Sequence, residues 1–233
     1  MGNETVLIVE DEIEIQNLLA LYLERDFQVV TAKNGKEALT RVQQQVPDAI
    51  LLDILLPEMN GLEVCRKIRE TNEKVPILFL SCKRESEDKI HGLELGGDDY
   101  ITKPFDPGEV LARVKAILRR VSRKPAIKTE QNDIRTFGSL EIDFTSYTVC
   151  VHGESVNLYA KEMQLLLHLA KRPNQVFSIE QLYNQIWGED RFGDLKTVMV
   201  HISNLRKKIE QNPAKPEYIL TVRGFGYKFN PSF

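Results

Sequence analysis

Short apolar runs alternate with helix-length amphipathic segments along the first 120 residues of this chain. The runs predict strands at residues 6–9, 28–32, 49–53, 77–81 and 100–102. The amphipathic segments predict helices near residues 12–25, 36–45, 62–70, 86–95 and 107–120, and the first should bury Ile15, Leu18, Leu19, Tyr22 and Leu23. Five βα units with short connections indicate an α/β domain, a doubly wound (βα)5 parallel sheet covered by helices on both faces.

The pattern changes after residue 120. Residues 121–134 are polar and aperiodic, which is typical of a linker. Strands are predicted at 137–143 and 148–152, and helices at 159–171, from Ser178 toward Trp187, and at 196–211. A β-hairpin is predicted at 218–229, with glycines at its turn. We therefore predict three segments: a first domain at 1–120, a linker at 121–134 and an α+β domain at 135–233.

Composition narrows the class of protein. Three widely spaced cysteines in 233 residues support neither a disulfide framework nor a zinc site. No apolar run approaches the roughly 20 residues of a membrane span, and the amino terminus lacks a signal-peptide pattern, so we expect no membrane partner and a cytoplasmic protein. Residues 1–120 carry 16 basic and 22 acidic side chains, whereas residues 121–233 carry 15 and 12. The net negative charge of the first half thus suits the binding of a cation, and the net positive charge of the second half suits the binding of a polyanion.

Polar side chains follow four of the predicted strands. Glu10 and Asp11 follow the first, Asp53 ends the third, Ser81 ends the fourth and Lys103 follows the fifth. Ligands of open parallel sheets bind at these carboxyl ends. Three carboxylates close together need a cation, and Mg²⁺ suits oxygen ligands and phosphate. Asp53 can then attack a phosphoryl group, which Lys103 and Ser81 can contact.

The helix at 196–211 separates into two faces. Val198, Ile202, Leu205 and Ile209 follow the spacing of a buried stripe. The opposite face should expose polar and basic groups that suit the major groove of double-stranded DNA: Lys196, Val200, Ser203, Asn204 and Lys207, flanked by His201, Arg206 and Lys208. Arg223 at the hairpin tip is long enough to enter a minor groove. The second domain is therefore predicted to be a winged helix-turn-helix.

Four motifs, VLIVEDE, ILLDILLPEMNG, GGDDYITKPF and TVRGFGY, carry a family resemblance. The chain resembles two-component response regulators of the OmpR/PhoB type. The resemblance implies that a sensor histidine kinase phosphorylates Asp53, and that activated protomers form a homodimer that binds DNA and regulates transcription, with RNA polymerase as a further partner.

The resemblance also assigns roles to individual residues. Asp11 would bind Mg²⁺ directly, Glu10 through water, and the Leu55 carbonyl with Asp53 would complete the metal site. Ser81 and Tyr100 would reorient on activation, and the Lys103–Pro104 bond would be cis. Thr197 and Tyr227 would join the DNA-contacting residues.

Charged residues near the end of the first domain match the family's dimer face: Lys89, Asp98, Asp99, Glu109, Arg113 and Arg120. We hypothesise three pairs between protomers, namely Lys89 with Glu109, Asp98 with Arg120 and Asp99 with Arg113. The alternative is that these charges are merely solvated, because exposed pairs contribute only ~0.2 to 1 kcal/mol each.

Two other functions are open to this sequence. An aspartyl-phosphate phosphatase or mutase would use the same acidic site, but no cap segment or substrate pocket is evident and the chain continues into a basic domain. A phosphorylation-independent DNA-binding protein would leave the acidic site without a role. The leading hypothesis is thus a phosphorylation-controlled transcription factor and not an enzyme.

Overall fold

The computed structural model describes residues 4–71, 74–81, 91–121, 133–188 and 194–232. The chain divides into two compact units, residues 1–124 and 125–233. This division falls inside the predicted linker, most of which lies outside the described residues, so the linker boundaries stay a prediction.

Unit 1 contains a five-stranded parallel sheet in the order β2-β1-β3-β4-β5. Its strands are β1 (Thr5–Val9), β2 (Gln28–Ala32), β3 (Ala49–Asp53), β4 (Ile77–Ser81) and β5 (Asp99–Thr102). Its described helices are α1 (Ile13–Leu23), α2 (Gly35–Gln44), α3 (Gly61–Thr71) and α4 (Pro107–Val121). The predicted helix at 86–95 lies mostly outside the described residues. The doubly wound parallel sheet is confirmed.

The sheet has a hydrophobic core on each face because successive side chains of a strand point to opposite sides. Leu7 and Leu52 belong to one core, whereas Ile8 and Leu51 belong to the other. All five residues of β1, β3 and β4 are buried. The continuous apolar runs of the sequence are thus the signature of strands covered on both faces.

One predicted stripe differs from the structure. Leu18 of α1 is exposed, whereas Gln16 is buried. The Gln16 amide donates to the carbonyl oxygens of Glu10 (2.9 Å) and Ala32 (3.1 Å), which lie just beyond β1 and at the end of β2. Hydrogen bonds to these two backbone carbonyls satisfy the buried amide, so a polar residue occupies the inward position.

Unit 2 combines an antiparallel sheet, three described helices and a hairpin. The sheet contains β6 (Ile134–Phe137), β7 (Leu140–Asp143), β8 (Thr148–Val151) and β9 (Glu154–Ser155). The helices are α5 (Ala160–Ala170), α6 (Ile179–Ile186) and α7 (Lys196–Ile209), and the hairpin pairs β10 (Ile219–Val222) with β11 (Gly226–Phe229). The winged-helix architecture is confirmed. The single strand predicted at 137–143 was wrong, because a turn with Gly138 at positive φ separates β6 from β7.

None of the helices in the described part of the chain combines the length and the apolar character needed to cross a bilayer.

Candidate functional site

The polar strand ends meet because β1, β3, β4 and β5 are neighbours in the sheet. Val9 pairs with Leu52, Asp53 with Leu80, and Ser81 with Thr102. The residues that follow these pairs therefore lie along one edge. This edge includes the change of direction in strand order between β1 and β3, where open sheets form binding crevices.

Three carboxylates come together at this edge. Oxygens of Glu10, Asp11 and Asp53 all lie within 4.8 Å of one another. Glu10 and Asp53 are buried, whereas Asp11 is exposed. The ammonium group of Lys103 donates to Asp53 Oδ2 at 2.5 Å and lies 2.8 Å from Glu10 Oε2. One ammonium offsets only part of three negative charges, so the donor set fits a hard divalent cation.

The pKa values of this cluster depart from their ordinary ranges. Burial raises the pKa of Glu10 to about 7; the nearby ammonium of Lys103 opposes this rise, and the charge of Asp53 adds to it. Burial alone would lower the pKa of Lys103, but its hydrogen bonds to Asp53 and Glu10 outweigh burial, so the pKa is raised. Lys103 therefore stays charged at neutral pH, whereas Glu10 changes its protonation state near pH 7.

The loop after β3 fixes the orientation of Asp53. The backbone N–H of Leu55 donates to Asp53 Oδ1 at 3.0 Å, and the N–H of Gly61 donates to the Ile54 carbonyl at 2.9 Å. A Cβ at position 61 would lie 2.0 Å from the Asp53 carbonyl oxygen, so only glycine allows the start of α3 to approach β3 this closely.

Ser81 and Tyr100 are both buried beside this edge. They lie on the adjacent strands β4 and β5, where Tyr100 pairs with Phe79, two residues before Ser81. The Lys103 N–H donates to the Ser81 carbonyl at 2.8 Å, which joins the ends of the two strands. The Lys103–Pro104 peptide bond is cis, as predicted.

Asp98 does not have the environment predicted for it. It is buried, and its Oδ2 accepts hydrogen bonds from Arg69 Nη2 (3.0 Å) and from the Ile77 N–H (2.9 Å). Arg69 also donates to the carbonyls of Gly96 and Val75. The predicted exposure of Asp98 is therefore corrected, because Asp98 pairs with Arg69 of the same chain; its pairing with Arg120 of another protomer stays a prediction. The Arg120 side chain lies outside the described residues.

The pair Asp99–Arg113 forms within one chain. Arg113 Nη1 lies 2.6 Å from Asp99 Oδ2, and the same guanidinium group donates twice to Glu109 Oε1, at 3.0 and 2.8 Å. Asp99 and Arg113 are both buried. The premise that these charges are exposed is therefore corrected, and their pairing between protomers stays a prediction. Lys89 lies outside the described residues.

In helix α7, the inward stripe is confirmed: Val198, Ile202, Leu205 and Ile209 are buried in the core of unit 2. The opposite face is narrower than predicted. Thr197, Val200, His201 and Asn204 are also buried, which corrects their predicted exposure. At 100° per residue, Thr197, His201 and Asn204 flank the inward stripe on one side. On this side the ring centroids of His201 and Trp187 lie 5.3 Å apart. The helix exposes Lys196, Met199, Ser203 and Lys207.

Two further residues predicted to contact DNA have internal roles. Arg206 is half-buried, and its guanidinium donates to the Ile219 carbonyl (3.0 and 2.5 Å) and to Thr221 Oγ1 (2.9 Å). Tyr227 is buried and exchanges backbone hydrogen bonds with Phe177. Burial raises the pKa of Tyr227, and its ring lies 5.5 Å below the Arg206 guanidinium. These contacts tie α7 to the hairpin.

The hairpin tip, in contrast, is open. Arg223 is exposed, and so is Phe225, which the sequence pattern did not single out. Gly226 has φ of 136°, and a Cβ there would lie 2.0 Å from the Phe177 carbonyl oxygen. Gly226 therefore also lets the hairpin pack closely on the segment before α6.

Comparison with known proteins agrees with this geometry. Residues 6–115 match the family model of the response regulator receiver domain, and residues 153–229 match that of the transcriptional regulatory protein, C terminal. A receiver domain followed by a DNA-binding domain defines a two-component response regulator that controls transcription.

Similar proteins identify the subfamily. The chain is 44% identical to PhoP of Bacillus subtilis, a regulator of alkaline phosphatase synthesis, over 97% of this chain and 96% of PhoP. It is 43% identical to SrrA of Staphylococcus aureus over 98% and 96%. The solved OmpR/PhoB homologue DrrB of Thermotoga maritima aligns with a TM-score of 0.53 and 33% identity, covering 98% of this chain and 100% of DrrB. This chain belongs to the OmpR/PhoB family of response regulators, which are transcriptional regulators and not enzymes.

Proposed function

We propose that Asp53 accepts a phosphoryl group from a sensor histidine kinase and that this modification controls DNA binding. The observation that carries the proposal is the position of Asp53: a buried carboxylate with acidic oxygens on one side and Lys103 at 2.5 Å. A phosphoryl group on Asp53 gains oxygens that Lys103 can contact. Mass measurement after incubation with a small acyl phosphate tests whether Asp53 is the acceptor.

Mg²⁺ is the proposed cofactor. The carboxylates of Asp11 and Asp53 and the Leu55 carbonyl would hold it directly, and the Glu10 carboxylate would hold it through water. The ion, when bound, would offset the negative charge of the acceptor and of the incoming phosphoryl group. Lys103 contributes the complementary charge from the end of β5 and keeps its proton throughout the physiological range because its pKa is raised.

Magnesium affinity is expected to fall about tenfold between pH 8 and pH 6. With a pKa of about 7, Glu10 becomes increasingly protonated below neutrality, and the proton competes with the cation for the carboxylate. Calorimetric titration in buffers of different ionisation enthalpy measures both the dissociation constant and the protons released. Glu10→Gln should remove the dependence in this range. Equal wild-type affinities at both pH values would contradict the expectation.

Activation would proceed from the acceptor to a protein interface. Ser81 and Tyr100, buried on adjacent strands, would reorient toward the phosphoryl group, and β5 continues directly into Lys103. Homodimerisation would follow through the face that includes α4. Because Asp98, Asp99, Glu109 and Arg113 are paired inside the chain, the register between protomers would depend on the other charges predicted for this face, Lys89 and Arg120.

Double-stranded DNA is the proposed ligand of unit 2, which carries more basic than acidic side chains. Lys196, Ser203 and Lys207 occupy the exposed stripe of α7, and Arg223 occupies the tip of the hairpin. The helix would enter a major groove, and Arg223 an adjacent minor groove. When two linked protomers meet repeated half-sites, binding of one protomer raises the effective concentration of the other at its own half-site. RNA polymerase is the proposed partner on the bound promoter.

Replacing Lys207 or Arg223 with alanine should weaken DNA binding and lower the slope of log affinity against log salt by about 1 for each phosphate that the variant no longer neutralises. Fluorescence anisotropy with a selected duplex at several salt concentrations measures the slope. Arg135→Ala removes an exposed arginine from β6 and should leave the slope unchanged. An equal reduction in the Arg135 variant would indicate a nonspecific charge effect and contradict the assignment.

A further inference from the structure

The exposed stripe of α7 contains one apolar side chain. Lys196, Met199, Ser203 and Lys207 follow spacings of 3, 4 and 4, so they lie above one another on one face of the helix. Met199 is 49% exposed, between a cationic residue one turn before it and a hydroxyl one turn after it. An isolated exposed apolar residue needs no explanation by itself. Its position on the face proposed to meet DNA is what gives Met199 significance.

Among the apolar side chains of α7, Met199 is the one that is exposed enough to contact a base. Val200, the apolar residue that the sequence favoured for a base contact, is only 7% exposed. Arg206 lies two turns after Met199, and its guanidinium is bonded to Ile219 and Thr221 of β10. These hydrogen bonds hold α7 against the hairpin, so the helix face that carries Met199 has a fixed orientation relative to Arg223 at the hairpin tip.

The major groove offers one apolar group at the base edges, the 5-methyl group of thymine. Methionine suits such a contact because its unbranched, polarizable side chain adapts to the shape of its partner. We propose that Met199 contacts a thymine methyl group in the major groove and thereby determines base preference at one position of each half-site. The inference rests on the proposed DNA-binding function and adds a specificity-determining residue to it.

Removal of that methyl group from the DNA tests the contact directly. Full-length protein, treated with an acyl phosphate, is used to select a preferred duplex, and each thymine of a half-site is then replaced singly by deoxyuridine. In the wild type, one replacement should weaken binding about fourfold, equivalent to ~0.8 kcal/mol for one buried methyl group. In Met199→Ala, the same replacement should have no effect, while responses at other thymines are unchanged.

Two variants control for indirect effects. Met199→Leu keeps an apolar side chain and should retain the methyl dependence. Val176→Ala removes another exposed apolar side chain of unit 2 and should behave as the wild type. Methyl dependence that persists in Met199→Ala would overturn this inference alone. So would a wild-type protein that binds DNA selectively but shows no methyl dependence at any thymine. A wild type that selects no duplex would overturn the proposed DNA-binding function, and the inference with it.

Discussion

Asp53→Asn is expected to abolish the phosphoryl adduct that the wild-type protein acquires from acetyl phosphate and Mg²⁺. The asparagine amide has the size of the carboxylate and can accept the hydrogen bond from the Leu55 N–H, but it is not a nucleophile toward phosphorus. Intact-protein mass spectrometry should show a gain of roughly 80 Da in the wild type, the mass of one phosphoryl group. Peptide mapping should place this gain on Asp53.

The control for this experiment is a carboxylate at the other end of the same strand. Asp48 precedes β3 at its amino end, and its Oδ2 accepts a hydrogen bond from the Thr5 N–H. Asp48→Asn removes a carboxylate from the opposite edge of the sheet and should leave the adduct intact. Asp11→Asn keeps the acceptor but removes a proposed metal ligand, and should slow adduct formation. An adduct on the Asp53→Asn variant would reject Asp53 as the acceptor.

Arg113→Met is expected to lower the free energy of unfolding of unit 1 by about 3 to 5 kcal/mol, the usual cost of leaving one member of a buried ion pair without its partner. The guanidinium lies 2.6 Å from Asp99 and 2.8 Å from Glu109, and methionine keeps much of its length without the charge. The measurement is denaturant unfolding of the full chain, followed by far-ultraviolet circular dichroism. Trp187 fluorescence separately follows unit 2, whose stability should not change.

Arg41→Met provides the matched comparison. Arg41 pairs with Glu37 at the same i,i+4 spacing, but both side chains are substantially exposed, so the loss of stability should be within ~0.5 kcal/mol. The Arg113 effect should also be independent of protein concentration, because the pair is internal. If Arg113→Met changed only the dimerisation equilibrium and left monomer unfolding unchanged, the internal pair would carry no stability and the hypothesis of a pair between protomers would regain support.

Much of the fold could be predicted from the sequence because the receiver strands are covered on both faces. Residues 6–9, 49–53 and 77–81 are continuous apolar runs, and the observed strands agree with them to within one residue. The acidic site could be located for the same reason: the carboxyl ends of neighbouring parallel strands meet at one edge. The order of strands and polar residues along the chain is therefore enough to place Asp53 near Glu10 and Lys103.

Pairings of charged residues could not be predicted in the same way. Acidic and basic residues alternate around Asp98 and Arg113, but their order along the chain does not say which pairs are internal. Arg69, which no sequence motif singles out, provides the buried partner of Asp98. A long guanidinium side chain can satisfy several distant backbone carbonyls at once, and only the tertiary arrangement determines which carbonyls are within reach.

The two-domain order, the parallel sheet, the winged helix and the acidic strand-end site could all be predicted from the order of residues, because these features depend on local periodicity and on the period-2 and 3.6-residue geometry of strands and helices. Packing between distant elements decided which sides of α7 are buried and that Arg206 and Tyr227 join this helix to the hairpin. It also decided that Asp98 and Asp99 are neutralised within the chain. Burial of a side chain depends on the elements packed against it, and these come from distant parts of the sequence.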